Sequence, residues 1–188
     1  RAVGVGEQDR PRQPASVPLV RPQMMTLMAT RENPLEGAPK SSHPTGLHFV
    51  RRNPDPEGRS RSDCGVRSIC LALDLDYETV FNELLPMQRR TSYRYTRDDI
   101  YYCGGTPAGG LLPRVMREYL ERKGWHCTTC PPGTKFKAEH LPARCIAELA
   151  THFVCVRDGA IWDTWDSRGK RAKQLKGFYA PINPALWL

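Results

Sequence analysis

Three residues of the 188 stand in a pattern that can activate a thiol. Cys64 follows Ser62 and Asp63, either of which suits a helix N-cap. It opens Cys64-Gly-Val-Arg-Ser-Ile-Cys-Leu-Ala-Leu73, where Val66, Ile69, Cys70 and Leu73 mark one buried helical face. A cysteine in the first turn of a helix meets unpaired N–H groups and the positive end of the helix dipole, which favour thiolate over thiol. Such a nucleophile needs a base. His152 opens a candidate strand whose chain turns at Asp158-Gly159, and Asp-Gly favours a two-residue hairpin. That turn would pair 157 with 160 and 155 with 162, making Asp163 the diagonal neighbour of His152. A three-residue loop would reverse the parity and put Trp162 there instead. Nucleophile, base and orienting carboxylate are the parts of a thiol hydrolase.

The elements that must position these residues are legible as patterns. After the helix at Cys64, a second is expected at 77–85, ended by Pro86, and 87–108 reads as a polar connection. A third helix is expected over 111–123, with Gly124 at the position that favours a left-handed cap. Strand candidates follow at 125–129, 144–149, 152–157, 160–165 and 174–180. Helices followed by strands indicate an α+β domain, with N-terminal helices on a C-terminal antiparallel sheet. The expected division is an extended arm, 1–50, and a domain, 51–188. The arm is rich in proline and arginine and holds one apolar knot, Met24-Met25-Thr26-Leu27-Met28.

Six blocks in this order resemble a group of phage and bacterial papain-like proteins: Asp63-Cys64-Gly-Val-Arg, Tyr77-Glu-Thr-Val-Phe, Glu118 to Trp125, Leu141-Pro142, Thr151 to Asp166 and Lys176-Gly-Phe-Tyr179. The resemblance implies a papain-like fold, Cys64 on the central helix, His152 and Asp163 on the sheet, and a peptide substrate. Two departures stand out. Papain-like enzymes carry a Gln about six residues before the nucleophile for the oxyanion hole, whereas Glu57, Gly58 and Arg59 stand here, leaving the Cys64 N–H or Arg59 to that task. The arm is foreign to the family.

Composition points to anionic partners. Lys and Arg number 28 against 20 Asp and Glu, and 21 of the cations are Arg, whose planar fork binds phosphate and carboxylate bidentately. Residues 1–62 carry ten cations against six anions, and 63–188 carry eighteen against fourteen, so arm and body are both basic. Arg51, Arg52, Arg89, Arg90, Tyr93, Arg94, Tyr95, Arg97, Lys170 and Arg171 interleave cations with stacking faces, a combination suited to single-stranded RNA. The alternative to a hydrolase is therefore a non-catalytic subunit whose arm docks into a large ribonucleoprotein. Its partners would be rRNA and neighbouring proteins, for example in a mitochondrial ribosome. Seven cysteines, an odd number, fit an intracellular reducing compartment. Arg1 at the first position fits a matrix protein that has lost a presequence, and the cytoplasm is the alternative. No apolar run is long enough to span a bilayer. No cofactor is expected. Cys127 and Cys130, with His140 and Cys145, have the spacing of a zinc site as a weaker alternative.

Overall fold

The computed structural model describes residues 39–55, 57–58, 62–92 and 106–186, all within the unit Asn33–Leu188. The apolar knot at Met24–Met28 lies outside them. The architecture is α+β: three α-helices among the described residues pack on a six-stranded mixed sheet. The strands are β1 (His48–Arg51), β2 (Trp125–Thr129), β3 (Arg144–Glu148), β4 (Phe153–Arg157), β5 (Ala160–Asp163) and β6 (Gly177–Pro181), in the order β1-β5-β4-β3-β6-β2. All neighbours are antiparallel except β1, which runs parallel to β5. A wholly antiparallel sheet was expected from the C-terminal strands. The parallel edge strand comes from residues with no alternating pattern, and it lies astride the expected boundary at residue 50.

The β4–β5 turn has two residues, as the Asp-Gly pair predicts. Cys155 opposes Trp162 and Arg157 opposes Ala160, with Asp158 at φ 49° and Gly159 at φ 76°. Alternation then sorts the sheet's side chains into two cores. Ile146, Cys155 and Tyr179 face the helices, whereas Cys145, Val154, Val156 and Ile161 face Leu47, Phe136 and Leu175, contributed by irregular segments.

Helix α1 (Cys64–Leu73) buries Val66, Ile69 and Leu73 against β4 and β3. Its C-terminus is pinned to the sheet. Asp74, in the left-handed conformation at φ 54°, forms ion pairs with Arg144 of β3 and, at 2.8 Å, with Arg157 of β4. Those guanidinium groups also donate to the Ala72 and Leu71 carbonyls that end the helix. With this end of α1 held beside the end of β4, the opposite end, bearing Cys64, lies where β4 begins.

Helix α2 (Tyr77–Ser92) runs through Pro86 rather than stopping there. The proline removes one N–H, but the following turn carries Met87 and Gln88, 5% and 0% exposed. Gln88 donates to the Gly110 carbonyl at 3.0 Å and accepts from the Leu112 N–H at 3.3 Å. Burial and these two bonds favour continuing the helix. Residues 87–92 are therefore helical, not part of a polar connection. Helix α3 (Pro113–Arg122) places Val115, Met116, Tyr119 and Leu120 inward, and Gly124 follows at φ 79°. Gly65 lets the segment before α3 approach α1, because a Cβ there would sit 2.8 Å from Leu111 Cβ.

Candidate active site

Asp63 occupies the N-cap position of α1, but its carboxylate does not cap the helix. It pairs with Arg67 one turn on at 2.8 Å and accepts the Tyr77 hydroxyl at 2.8 Å. The helix therefore starts at Cys64 with its first N–H groups lacking acceptors inside the helix. Arg67 reaches on to Thr164 Oγ1 at 3.2 Å, tying the start of α1 to the end of β5.

The Cys64 thiol lies close enough to His152, which immediately precedes β4, and to the Phe153 backbone N–H at its start for both to favour the thiolate. His152 sits at the mouth of β4, where its carbonyl accepts the Leu149 N–H at 2.9 Å and closes the β3–β4 turn. Its Nε2 lies 2.7 Å from Asp163 Oδ2, which leaves Nδ1 for the thiol. The second Asp163 oxygen accepts the Thr164 backbone N–H at 2.7 Å. Both ring and carboxylate are shielded, at 12% and 7% side-chain exposure, while Cys64 itself is partly exposed. Trp165 covers the imidazole, with ring centroids 5.2 Å apart.

Electrostatics separate this thiol from its counterparts. Burial alone would push Cys64 up. The hydrogen bonds from His152 and Phe153, with the positive charges of His152 and Arg67, outweigh it and bring the thiol below its ordinary 9.0. Burial would likewise lower His152, but its bonds to Asp163 and Cys64, and their negative charges, raise it to about 9. Both shifts favour a thiolate–imidazolium pair over the neutral pair. Elsewhere burial dominates: Cys70 and Cys155 are pushed up to about 12, and Cys130 and Cys145 are raised as well.

The structure thus brings Cys64, His152 and Asp163 together. Of the expected oxyanion region, Glu57 and Gly58 are exposed and supply no side-chain amide, and Arg59 lies outside the described residues. The Cys64 N–H remains as a donor at the helix start. Arg67, Tyr77 and Thr164, which tie the start of α1 to its surroundings, were not singled out from the sequence, and Asp63 was read there as an N-cap rather than as the partner of Arg67 and Tyr77.

Other expected sets are not assembled. Among the described residues no three His, Cys, Asp or Glu side chains could hold a metal ion, so Cys127, Cys130, His140 and Cys145 do not form the zinc site their spacing allowed. Cys145 is buried on the sheet face opposite the helices, whereas Cys127 packs against the helix-side core. Arg51 and Arg52 lie at edge strand β1, with Arg52 over the Trp162 ring at 5.7 Å. Arg89 and Arg90 end α2, where Arg90 pairs with Glu118 of α3, the helix that packs on the opposite edge strand, β2. These two arginine pairs are not brought together. Lys170 and Arg171 are exposed between β5 and β6, and Tyr93, Arg94, Tyr95 and Arg97 lie outside the described residues. No helix among the described residues is long and apolar enough to cross a membrane.

No protein-family model, curated protein or solved structure matches the chain.

Proposed function

We propose that the protein is a papain-like thiol hydrolase acting on an amide or ester carbonyl, with a peptide as the expected substrate. The observation that carries this is the Cys64–His152–Asp163 relay, in which the thiol is held low while its imidazole is held high. Cys64 Sγ attacks the carbonyl carbon, forming an S–C bond, and the Cys64 N–H at the helix start stabilises the oxyanion. As the tetrahedral intermediate collapses, the C–N bond breaks and the His152 proton passes to the leaving amine. A water molecule then attacks the thioester and gives its proton to His152. The S–C bond then breaks, the carboxylic product departs and the thiolate–imidazolium pair re-forms. Asp163 holds the ring by its Nε2 throughout and stabilises the imidazolium.

A p-nitrophenyl ester tests this directly. The expected result is a burst approaching one nitrophenolate per chain, with the acyl group on Cys64, and its loss in Cys64→Ser. No burst, or a burst that survives Cys64→Ser, would overturn the proposal. The assembly alternative draws on the net charge of +8 and on the arm. Its described cations are distributed over separate elements, so the triad geometry favours the hydrolase.

A further inference from the structure

Glu148 ends β3 opposite the start of β4. It stands in register with Phe153 of β4, the residue after His152 on the strand that packs against α1, and with Gly177 of β6 on its other side. Directly paired residues on neighbouring strands lie about 4.5–5.5 Å apart at Cα. Its side chain faces the helix layer, because it alternates with Ile146, which is buried in the core formed with Val66 and Ile69. Tyr179, opposite Ile146 on the same face, has its hydroxyl pushed up by burial and by nearby negative charges that include Glu148. Gly177 contributes no side chain that could shield or pair the carboxylate.

The charge on Glu148 is not matched within the described residues. Several other acids in this basic chain have cations: Glu83 has Lys123, Glu118 has Arg122, Asp74 has Arg157 and Asp166 has Arg168, whereas Asp76, Glu121 and Asp158, without one among the described residues, are exposed. Around Glu148 the available cations are directed elsewhere. Arg117 of α3 donates to Cys127 Sγ at 3.7 Å, and Lys176 Nζ donates to the Ala150 carbonyl at 3.1 Å. The complement of a carboxylate without a counter-ion is an ammonium or guanidinium group.

We infer that Glu148 is the specificity-determining residue of this site and selects a substrate with a cationic Lys or Arg side chain next to the scissile carbonyl. This rests on the thiol-hydrolase reading. The test uses the full chain and three dipeptidyl chloromethyl ketones that differ only in the residue bearing the electrophile: Lys, Leu or Glu. In each, Cys64 Sγ bonds to the methylene carbon as chloride leaves. Second-order labelling of Cys64 is expected to be about five- to tenfold faster for Lys than for Leu, and slowest for Glu. Glu148→Gln should bring the Lys-to-Leu ratio to about one, and Glu148→Lys should make the Glu probe the fastest of the three. Equal rates for the Lys and Leu probes in the unaltered chain, with Cys64 still labelled rapidly by iodoacetamide, would overturn this inference alone. Slow labelling of Cys64 by every electrophile would overturn the hydrolase reading and the inference together.

Discussion

At the scale of single residues, the site depends on two opposing shifts. Removing the imidazole in His152→Ala deletes the side-chain bond and charge that help hold Cys64 down and leaves burial, which raises it, opposed only by the Phe153 N–H and Arg67. The thiol should then titrate higher than in the unaltered chain, and its alkylation at pH 7 should fall on the order of 10²-fold, as site-resolved mass spectrometry would measure. The imidazole has its own pH signature. Its folded pKa of about 9 exceeds the ordinary 6.5, so the stability it contributes is complete below 6.5 and is lost as pH rises through the folded value. Cys64 works in the opposite sense, since a lowered thiol contributes stability that is lost as pH falls. Cys64→Ser removes that opposing effect. In that background the Tm advantage over Cys64→Ser/His152→Ala should shrink steadily as pH is raised from 6.5. A constant difference would contradict the Asp163–His152 pairing. At this scale the sequence was most informative: an N-terminal helical cysteine and an Asp-Gly hairpin have local rules, and together they placed Asp163 beside His152.

Secondary-structure elements were legible where their pattern was local and obscure where tertiary contacts decided. The period of α1 and the turn between β4 and β5 are properties of adjacent residues. Strand β1 is not. His48–Arg51 forms a strand because β5 offers it a parallel edge, with Arg52 N–H bonding to the Asp163 carbonyl at 2.8 Å, and nothing in a Pro-rich stretch announces that partner. Helix α2 passes Pro86 because buried Gln88 finds backbone partners more than twenty residues away, a distance beyond any local rule. The orientation of α1 was equally hidden, since it depends on Asp74 receiving arginines from two strands. Asp74→Ala should therefore cost about 3 kcal/mol in denaturant unfolding, chiefly because Arg144, 9% exposed, loses its counter-charge. Gly65→Ala should cost about 1–3 kcal/mol by pushing Leu111 away, and it should slow Cys64 alkylation if the helix start shifts with it.

At the scale of the whole molecule, a net charge of +8 predicts salt-sensitive attraction to anionic polymers. The described basic residues sit on separate elements, which fits contact at several points better than one RNA-reading surface. If the chain is held in a ribonucleoprotein, it should co-sediment with an RNase-sensitive particle. Sedimentation as a free 21.3 kDa monomer would contradict that arrangement and leave the thiol chemistry untouched. The fold also provides its own control for the central claim, because Cys127 and Cys130 are partly exposed like Cys64 but lack an imidazole partner in the described structure. The difference from Cys130 therefore reports activation rather than access, whereas Cys127 also has the Arg117 guanidinium beside it. The most direct measurement is time-resolved iodoacetamide labelling of the intact chain near pH 7, with each cysteine quantified separately. Cys64 is expected to react at least about tenfold faster than Cys127 and Cys130. Labelling of Cys64 at the same rate as those two, or more slowly, would contradict an activated nucleophile.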